Sequence, residues 1–472
     1  MMTLQQAHDW LISGGISARL VGDGSLHFNR VHTDTRTLLP GDLFVALKGE
    51  HFDANGFLLQ AQRQGAIGAM AHQGLADAGL AGLEVNDSKL ALGQLAAGWR
   101  SQFALPLIAV TGSNGKTTVT QMIASILRAW KQDHAFATEG NFNNDIGVPL
   151  TLLRLSAAHQ VGVVELGMNH PGEIAYLAGL TMPAVALVNN AQREHLEFMA
   201  TVEAVAHENG SVINALGSQG IAVFPIDDAY SSVWRRLAGK RQVLTFAESS
   251  AKKSAADITA LAQWVENGWQ VRATTPIGLV EFELQVAGRH NIKNALAATA
   301  CALAVGVPLN SIAAGLSAFR SIKGRSRAVT VNFHGRLVTL IDDTYNANPD
   351  SMRAAIDVLA ELPGPHLLVM GDMGEVGDQG PQMHDEAGRY THASGIEKFF
   401  TLGTQSEQAA KAFGPGRHFE SLVELVGAVV AELPDSGSVL VKGSRFMKME
   451  QVVKAIIASS QKQLEEDTSD AA

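Results

Sequence analysis

Apolar residues run through this chain in two rhythms. Short unbroken apolar runs occur at 105–110, 161–165, 184–188 and 221–224, and again at 337–341, 366–370, 398–402 and 438–441. Runs of that length without polar alternation predict strands buried on both faces, as in parallel sheets. The stretches between them carry helical spacing, most clearly 116–130, with Val119, Met122, Ile123, Ile126 and Leu127 on one side. Strands alternating with helices predict βαβ units with right-handed crossovers. The first hundred residues differ, mixing short strands such as 43–47 with a helix at 87–102. The fold class expected is therefore α/β in three domains. A small α+β domain spans 1–103, a central α/β domain with a parallel sheet spans 104–323, and a second α/β domain spans 324–472. The polar, acidic stretch 461–472 is expected to fray.

The loop at 111–118 reads Thr-Gly-Ser-Asn-Gly-Lys-Thr-Thr between a strand and a helix. Glycines let backbone N–H groups converge on a phosphate, and the helix N-terminus adds positive potential. Lys116 is placed to reach the β/γ-phosphates of a nucleotide, and the Thr117 hydroxyl to hold Mg²⁺. The full G-x-x-x-x-G-K-[ST] pattern is not met, because Val110 stands where its first glycine belongs. That departure points to a particular branch of phosphate-loop enzymes.

Other strand ends add chemistry. Glu165 closes the strand 161–165, where an acid beside a phosphate loop is placed to bind Mg²⁺. The competing reading is an ordinary strand-terminal glutamate. His195 follows the strand 184–190 at the same sheet edge, which favours a metal or phosphate role over a structural one. Residues 140–149 are dense in small amides, which suit a substrate or, more simply, turns. Residues 288–294 open an alanine-rich helix, where amides meet a nucleotide base or cap the helix. Stretches 341–349, 369–373 and 441–445 each end a strand with charged or amide groups. Together they predict a second ligand face beside the phosphate loop.

Composition narrows the classes. A chain of 472 residues predicts two to four domains. A net charge of −10 without a basic run argues against nucleic acid as a partner. A single cysteine, Cys301, excludes a disulfide framework and a cysteine zinc site, and fits a reducing cytosol. Residues 1–15 lack a basic stretch ahead of an apolar one, so no signal peptide is expected. No window approaches ~18 uninterrupted apolar residues, so no membrane partner is expected either. The expected location is the cytoplasm.

With these residues assembled, the chain resembles the Mur ligases, the ATP-dependent amide-bond enzymes of peptidoglycan synthesis. The resemblance rests on 111–118, 140–149, Glu165, His195, 288–294 and Arg325. The stretch Asp342-Asp343-Thr344-Tyr345-Asn346-Ala347-Asn348-Pro349-Asp350-Ser351-Met352 resembles the branch that adds D-alanyl-D-alanine. So do 369–372 with Glu375, 441–445, Asp34-Thr35-Arg36 and 40–44, and the likeness covers essentially the whole chain.

The resemblance implies an N-terminal UDP-sugar-binding domain, a central phosphate-loop ATPase and a Rossmann-like C-terminal domain that closes over the site. It implies transfer of the ATP γ-phosphoryl to the carboxylate of UDP-N-acetylmuramoyl-tripeptide, then attack on the acyl phosphate by the amine of D-alanyl-D-alanine. The implied catalytic residues are Lys116, Glu165 and His195. The implied ATP-binding residues are Gly112, Ser113, Asn114, Gly115, Lys116, Thr117, Thr118, Asn291, Asn294, Arg325 and Asp343. Thr35, Arg36, Asp42, Ala46, Asn141, Asn144, Tyr345, Asn346, Asn348, Ser351, Lys442 and Arg445 would bind the substrates. Thr117, Glu165 and His195 would hold one or two Mg²⁺, and a monomer is expected.

One position departs from the family. Mur ligases typically carry a lysine about fourteen residues after the histidine, and its carbamate helps to hold a second Mg²⁺. Here the count reaches Asn209, with no lysine between Lys131 and Lys240. The expectation is that Glu208 or Asn209, with water, replaces the carbamate. Three other readings compete. A sibling ligase, folylpolyglutamate synthase or the enzyme adding the third peptide residue, shares the ATPase block but not the 345–349 motif. A phosphate-loop ATPase of non-ligase function leaves the second ligand face unexplained. A non-catalytic ligase-like subunit of an amidotransferase would carry a cysteine metal ribbon, which one cysteine cannot build.

Overall fold

The computed structural model describes residues 1–49, 52–248, 256–265, 268–333 and 335–469, with the side chains of 462–469 left aside. Its centre is a nine-stranded sheet. The strand Leu107–Thr111 lies between Val161–Glu165 and Val185–Val188, and all three run parallel. Ala135–Ala137 forms one edge, while Ile221–Pro225, Gln242–Glu248 and Ile258–Val265 continue the parallel set on the other side. Gly268–Thr275 and Gly278–Leu284 add two antiparallel strands. These two alternate buried with exposed residues, the mark of a sheet with one wet face.

The N-terminal block carries a five-stranded sheet, in which Arg30–His32, Asp42–Val45, Gly68–Ala71 and Gly82–Val85 run parallel and Ala18–Val21 antiparallel. The C-terminal block carries a six-stranded sheet. There Arg336–Asp343, Ser438–Lys442, His366–Gly371, Lys398–Leu402 and Arg417–Phe419 run parallel, and Arg327–Phe333 pairs antiparallel at the edge. The architecture is thus three-block α/β. The last helix, Glu450–Ser469, keeps helical backbone through most of the stretch expected to fray, and 470–472 lie outside the described residues.

Val110 now has a physical explanation. It is fully buried inside the strand Leu107–Thr111, paired with Glu165 on one side and Leu187 on the other. The turn starts only at Gly112, so no glycine is needed at 110.

The blocks meet in different ways. N-terminal and central blocks share one apolar core, in which Leu92, Leu95 and Ala96 pack with Leu177, Ala178 and Leu180. Arg100 is buried there and donates from Nε to the Thr181 carbonyl at 2.9 Å. The C-terminal block has two cores of its own, and from the central block only Ala287 and Leu196 join them among the described residues. Its contact with the central block is therefore mainly polar.

Candidate active site

The helix Lys116–Lys131 begins at Gly115, with φ +80° and no side-chain cap, so its first N–H groups face outward. A Cβ at Gly115 would lie 2.6 Å from Asn294 Oδ1, and one at Gly112 would lie 3.0 Å from the backbone N of Asn189. Both glycines are therefore required by close approach as well as by positive φ. Amides brace the loop from behind. Asn189 Nδ2 and Asn190 Nδ2 donate to the Asn114 carbonyl at 2.8 and 2.9 Å, and the Asn114 N–H donates to Asn190 Oδ1 at 2.8 Å.

Lys116 Nζ curls over its own loop, donating to the carbonyls of Gly112 (2.6 Å) and Ser113 (3.0 Å) and to Glu194 Oε1 (2.8 Å). Burial would raise the Glu194 carboxyl, but the Lys116 ammonium and His195 outweigh it and hold it below its ordinary value. His195 sits with Nδ1 2.5 Å from Glu375 Oε2 and Nε2 3.4 Å from Glu194 Oε1. Burial alone would lower the imidazole, yet the two carboxylates push it up to about 9. His195, expected as a metal ligand, lies here between the Glu194 and Glu375 carboxylates.

Thr117 and Glu165 form the other half of the site. Thr117 Oγ1 donates to Glu165 Oε1 at 3.0 Å, Asn143 Nδ2 donates to the same oxygen at 2.7 Å, and Arg325 Nη2 reaches Thr117 Oγ1 at 3.0 Å. Glu165 is 1% exposed, and its Oε2 is buried without a partner. An acid oxygen left open beside a hydroxyl fits Mg²⁺, which takes one or two carboxylates and completes its shell with phosphate oxygens and water. Among the described residues no group of three or more His, Cys, Asp or Glu forms a cage for a metal ion.

Of the two residues expected to replace the carbamate, both are already engaged in the fold. Glu208 engages both oxygens at a helix start, accepting from the N–H groups of Gly172 and Ile174 at 2.9 Å each. Asn209 Oδ1 accepts from Gly112 N–H and Thr111 Oγ1, and what remains is Nδ2, a donor that cannot bind a cation. Asn209 therefore offers no acceptor to a second Mg²⁺, while Glu208 keeps one further lone pair on each oxygen.

The C-terminal block completes the cleft. Asp343 takes Lys442 Nζ at 2.6 Å and the Ser326 N–H at 2.9 Å. Burial pushes the Asp343 carboxyl up, and Lys442 more than reverses that, leaving it below its usual range. The Tyr345 ring lies beneath Arg325, 3.9 Å from its Cζ, with Arg445 at 5.7 Å. Asn346 accepts Lys442 Nζ on its carbonyl at 2.8 Å. Asn348 Nδ2 bridges to Asn114 Oδ1 at 2.9 Å, while Asn348 and Ser351 form a capping box on the helix Pro349–Ala360. The Ser351 hydroxyl is thus committed to the cap.

These residues line one cleft of about 740 Å³, together with Ser113–Thr118 of the loop, Asn141, Asn144, Asn291 and Asn294. Asn144 Oδ1 accepts from the Gly147 N–H at 2.8 Å and is a turn former first. Asn291 and Asn294 are buried and chained by a 2.9 Å hydrogen bond that leads to Asn189. The four N-terminal residues are not in this cleft. Asp42 and Ala46 are buried: Asp42 is consumed by Arg30 and by the Leu39 N–H, and the Ala46 carbonyl takes the Ser88 hydroxyl. Neither therefore offers its polar group to a substrate. Thr35 is buried too, and Arg36 is exposed against Asp34.

Sequence reasoning missed Asn189, Gln192, Glu194 and Asp228, which also line the cleft. Asp228, beyond the strand Ile221–Pro225, has its carboxyl raised by burial against the pull of the Tyr230 and Ala191 N–H groups. The signal for it was the same strand-end rule that picked out Glu165.

Known proteins agree with this geometry. Residues 110–302 match the Mur ligase middle domain, and residues 324–445 match the Mur ligase glutamate ligase domain. A UDP-N-acetylmuramoyl-tripeptide–D-alanyl-D-alanine ligase of Escherichia coli K12 is 40% identical over 96% of this chain and 98% of its own. The protein of the same name from Haemophilus influenzae is 38% identical over 93% and 96%. A crystal structure of MurF from Acinetobacter baumannii superposes with a TM-score of 0.88 at 35% identity, covering 97% of this chain and 98% of that one. The chain belongs to the Mur ligase family.

Proposed function

We infer that this protein is an ATP-dependent ligase that joins D-alanyl-D-alanine to UDP-N-acetylmuramoyl-tripeptide in peptidoglycan precursor synthesis. The observation that carries the reading is Arg325, at the start of the C-terminal block, donating to Thr117 of the phosphate loop at 3.0 Å. That contact puts the second ligand face and the phosphate loop on one cleft, as a ligase needs and a simple ATPase does not. Close likeness over nearly the whole chain to enzymes of that name supports the same substrates over a sibling ligase's.

The chemistry follows from a poor acyl donor. A tripeptide carboxylate oxygen attacks the γ-phosphorus of ATP, an O–P bond forms and the bond to the β,γ-bridging oxygen breaks, releasing ADP. The dipeptide amine then attacks the acyl carbon, forming the C–N bond and expelling phosphate and a proton. Lys116 and the uncapped N–H groups at the start of the helix Lys116–Lys131 would neutralise charge on the transferring phosphoryl group. Thr117 and Glu165 would hold one Mg²⁺, which supplies further charge neutralisation on the phosphates when bound. Arg325, which reaches Thr117, would meet the same oxygens from the C-terminal side. Lys442 ties Asp343 to Asn346, and Tyr345 with Asn346 would lie where the dipeptide enters. His195 shares the Glu194 carboxylate with Lys116 on the phosphate-loop side of the cleft, where the resemblance gives it a metal-holding role. Asn291 and Asn294 brace the nucleotide side through Asn189.

By this reading residues 1–103 hold the UDP-sugar through Thr35 and Arg36, residues 104–323 bind ATP, and residues 324–472 present the dipeptide. No helix among the described residues is long and apolar enough to cross a membrane. A cytoplasmic monomer that meets soluble precursors suits the substrates. The test is Lys116→Ala. Turnover should fall by about 10³-fold, the scale for removing a group that stabilises transition-state charge, while calorimetric binding of the UDP-tripeptide persists. Phosphate release by the unmutated enzyme should need both the UDP-tripeptide and the dipeptide. Release from ATP alone would overturn the ligase reading.

A further inference from the structure

Four consecutive residues after the strand Val185–Val188 serve two bodies in alternation. Gln192 and Glu194 turn inward. The Gln192 N–H donates to Ser113 Oγ at 2.9 Å, its Oε1 accepts from Asn114 Nδ2 at 2.6 Å, and Glu194 takes Lys116. Arg193 and His195 turn outward to the C-terminal block. The Arg193 N–H donates to Asp350 Oδ2 at 2.8 Å, and its Nε and Nη2 reach Asp350 Oδ1 at 3.1 and 2.7 Å. Its Nη1 and Nη2 fork onto Glu386 at 2.7 and 3.1 Å.

This is more than an exposed ion pair. One guanidinium is bidentate to a carboxylate on the helix Gly380–Ala393 and also grips the first turn of Pro349–Ala360, geometry that only arginine offers. Few apolar residues cross this boundary. The orientation of the C-terminal block therefore rests on such polar contacts, as expected where domains move. We propose that Arg193 is a positioning residue that registers the C-terminal domain against the phosphate loop. Docking of the two helices on Arg193 fixes residues 192–195, and Gln192 and Glu194 carry that register to Ser113, Asn114 and Lys116. The proposal rests on the reading of Lys116 as a phosphate-contacting group.

The test uses the full chain with Arg193→Ala, Arg193→Lys and Glu386→Gln. For Arg193→Ala, kcat should fall by about 10²-fold, the scale for sub-ångström to ångström misplacement. The KM for UDP-tripeptide and the affinity for a non-hydrolysable ATP analogue should stay near wild type. Arg193→Lys should recover only part of kcat, because one ammonium cannot fork onto two carboxylates. Small-angle scattering with the ATP analogue and UDP-tripeptide should show compaction of the wild type and a larger radius for Arg193→Ala. Should Arg193→Ala fail to fold, Glu386→Gln keeps the Asp350 half of the clasp and should show the same split at smaller size. Wild-type kcat and wild-type scattering in the variants would overturn the proposal, as would loss of nucleotide binding in step with kcat. A Lys116→Ala enzyme that compacts normally yet turns over normally would instead sink the loop assignment, so the two failures are distinguishable.

Discussion

Asn209 Oδ1 accepts one hydrogen bond from the Gly112 N–H at 3.0 Å and another from Thr111 Oγ1 at 2.6 Å, where the central strand becomes the phosphate loop. A neutral amide thus clamps the loop at the position where the family resemblance leads one to expect a lysine. An amide cannot form a carbamate, so removal of bicarbonate should leave turnover unchanged. Recovery of lost activity on adding bicarbonate would contradict this. Asn209→Ala should leave the buried Gly112 N–H unpaired and cost about 1–3 kcal/mol of stability, read from denaturant midpoints.

The His195 imidazole, pushed up to about 9 from an ordinary 6.5, links the site to alkaline pH. A base whose folded value exceeds its unfolded value stabilises the fold fully below 6.5, and that contribution is lost as pH rises through about 9. Imidazole resonances should titrate near the raised value in the wild type. In Glu194→Gln the midpoint should move toward the ordinary one, because one of the two flanking charges is gone. An unshifted midpoint in that variant would mean that Glu375 alone sets it.

How far the sequence reached depended on how local each contact was. The phosphate loop, Glu165 and His195 were legible because a strand end, a glycine turn and a helix start are contiguous. Gln192 and Glu194 were not, since their partners Asn114 and Lys116 lie 78 residues away. Arg193 meets Glu386 across 193 residues, which no local pattern announces. Glu208, Asn144 and Ser351 also satisfy backbone N–H groups or a helix cap, a local structural role that a sequence pattern does not separate from ligand contact. The antiparallel strands 268–275 and 278–284 alternate buried with exposed residues and so carry no unbroken apolar run to mark them.

Gly315 marks where the helix Leu309–Ala318 crosses the helix that carries the loop. A Cβ there would lie 2.3 Å from Ile126 Cα, against backbone that cannot rotate away. Gly315→Ala should therefore destabilise by about 1–3 kcal/mol or more, as overpacking does, and weaken binding of an ATP analogue by shifting Lys116. Gly179→Ala is the matched control. It lies in the helix Glu173–Thr181 with nothing within 4 Å of the added carbon, so a small gain in stability is expected. Equal effects of the two substitutions on the thermal midpoint would refute the packing argument.

His384 gives an acid-side counterpart to His195. It is fully buried in the helix Gly380–Ala393, where Nδ1 donates to the Gly380 carbonyl at 2.7 Å and Nε2 accepts from the Met373 N–H at 3.0 Å. Both nitrogens are thus spent on a neutral ring. Burial lowers its affinity for a proton below the ordinary 6.5, and a proton at Nε2 would face another donor. The unfolded chain takes that proton more readily, so the sign is opposite to that of His195. Stability is complete above 6.5 and is lost as pH falls below it toward the lower folded value. His384→Leu removes the titration and leaves the Met373 N–H unpaired, at a cost of about 1–3 kcal/mol near neutral pH. The difference in denaturant midpoint between wild type and variant should therefore shrink between about pH 7.5 and pH 5. A constant difference over that range would show that His384 does not titrate on unfolding. The turn affected, Met373-Gly374-Glu375, is the one that brings Glu375 to His195, so acid should loosen that contact before the central sheet unfolds.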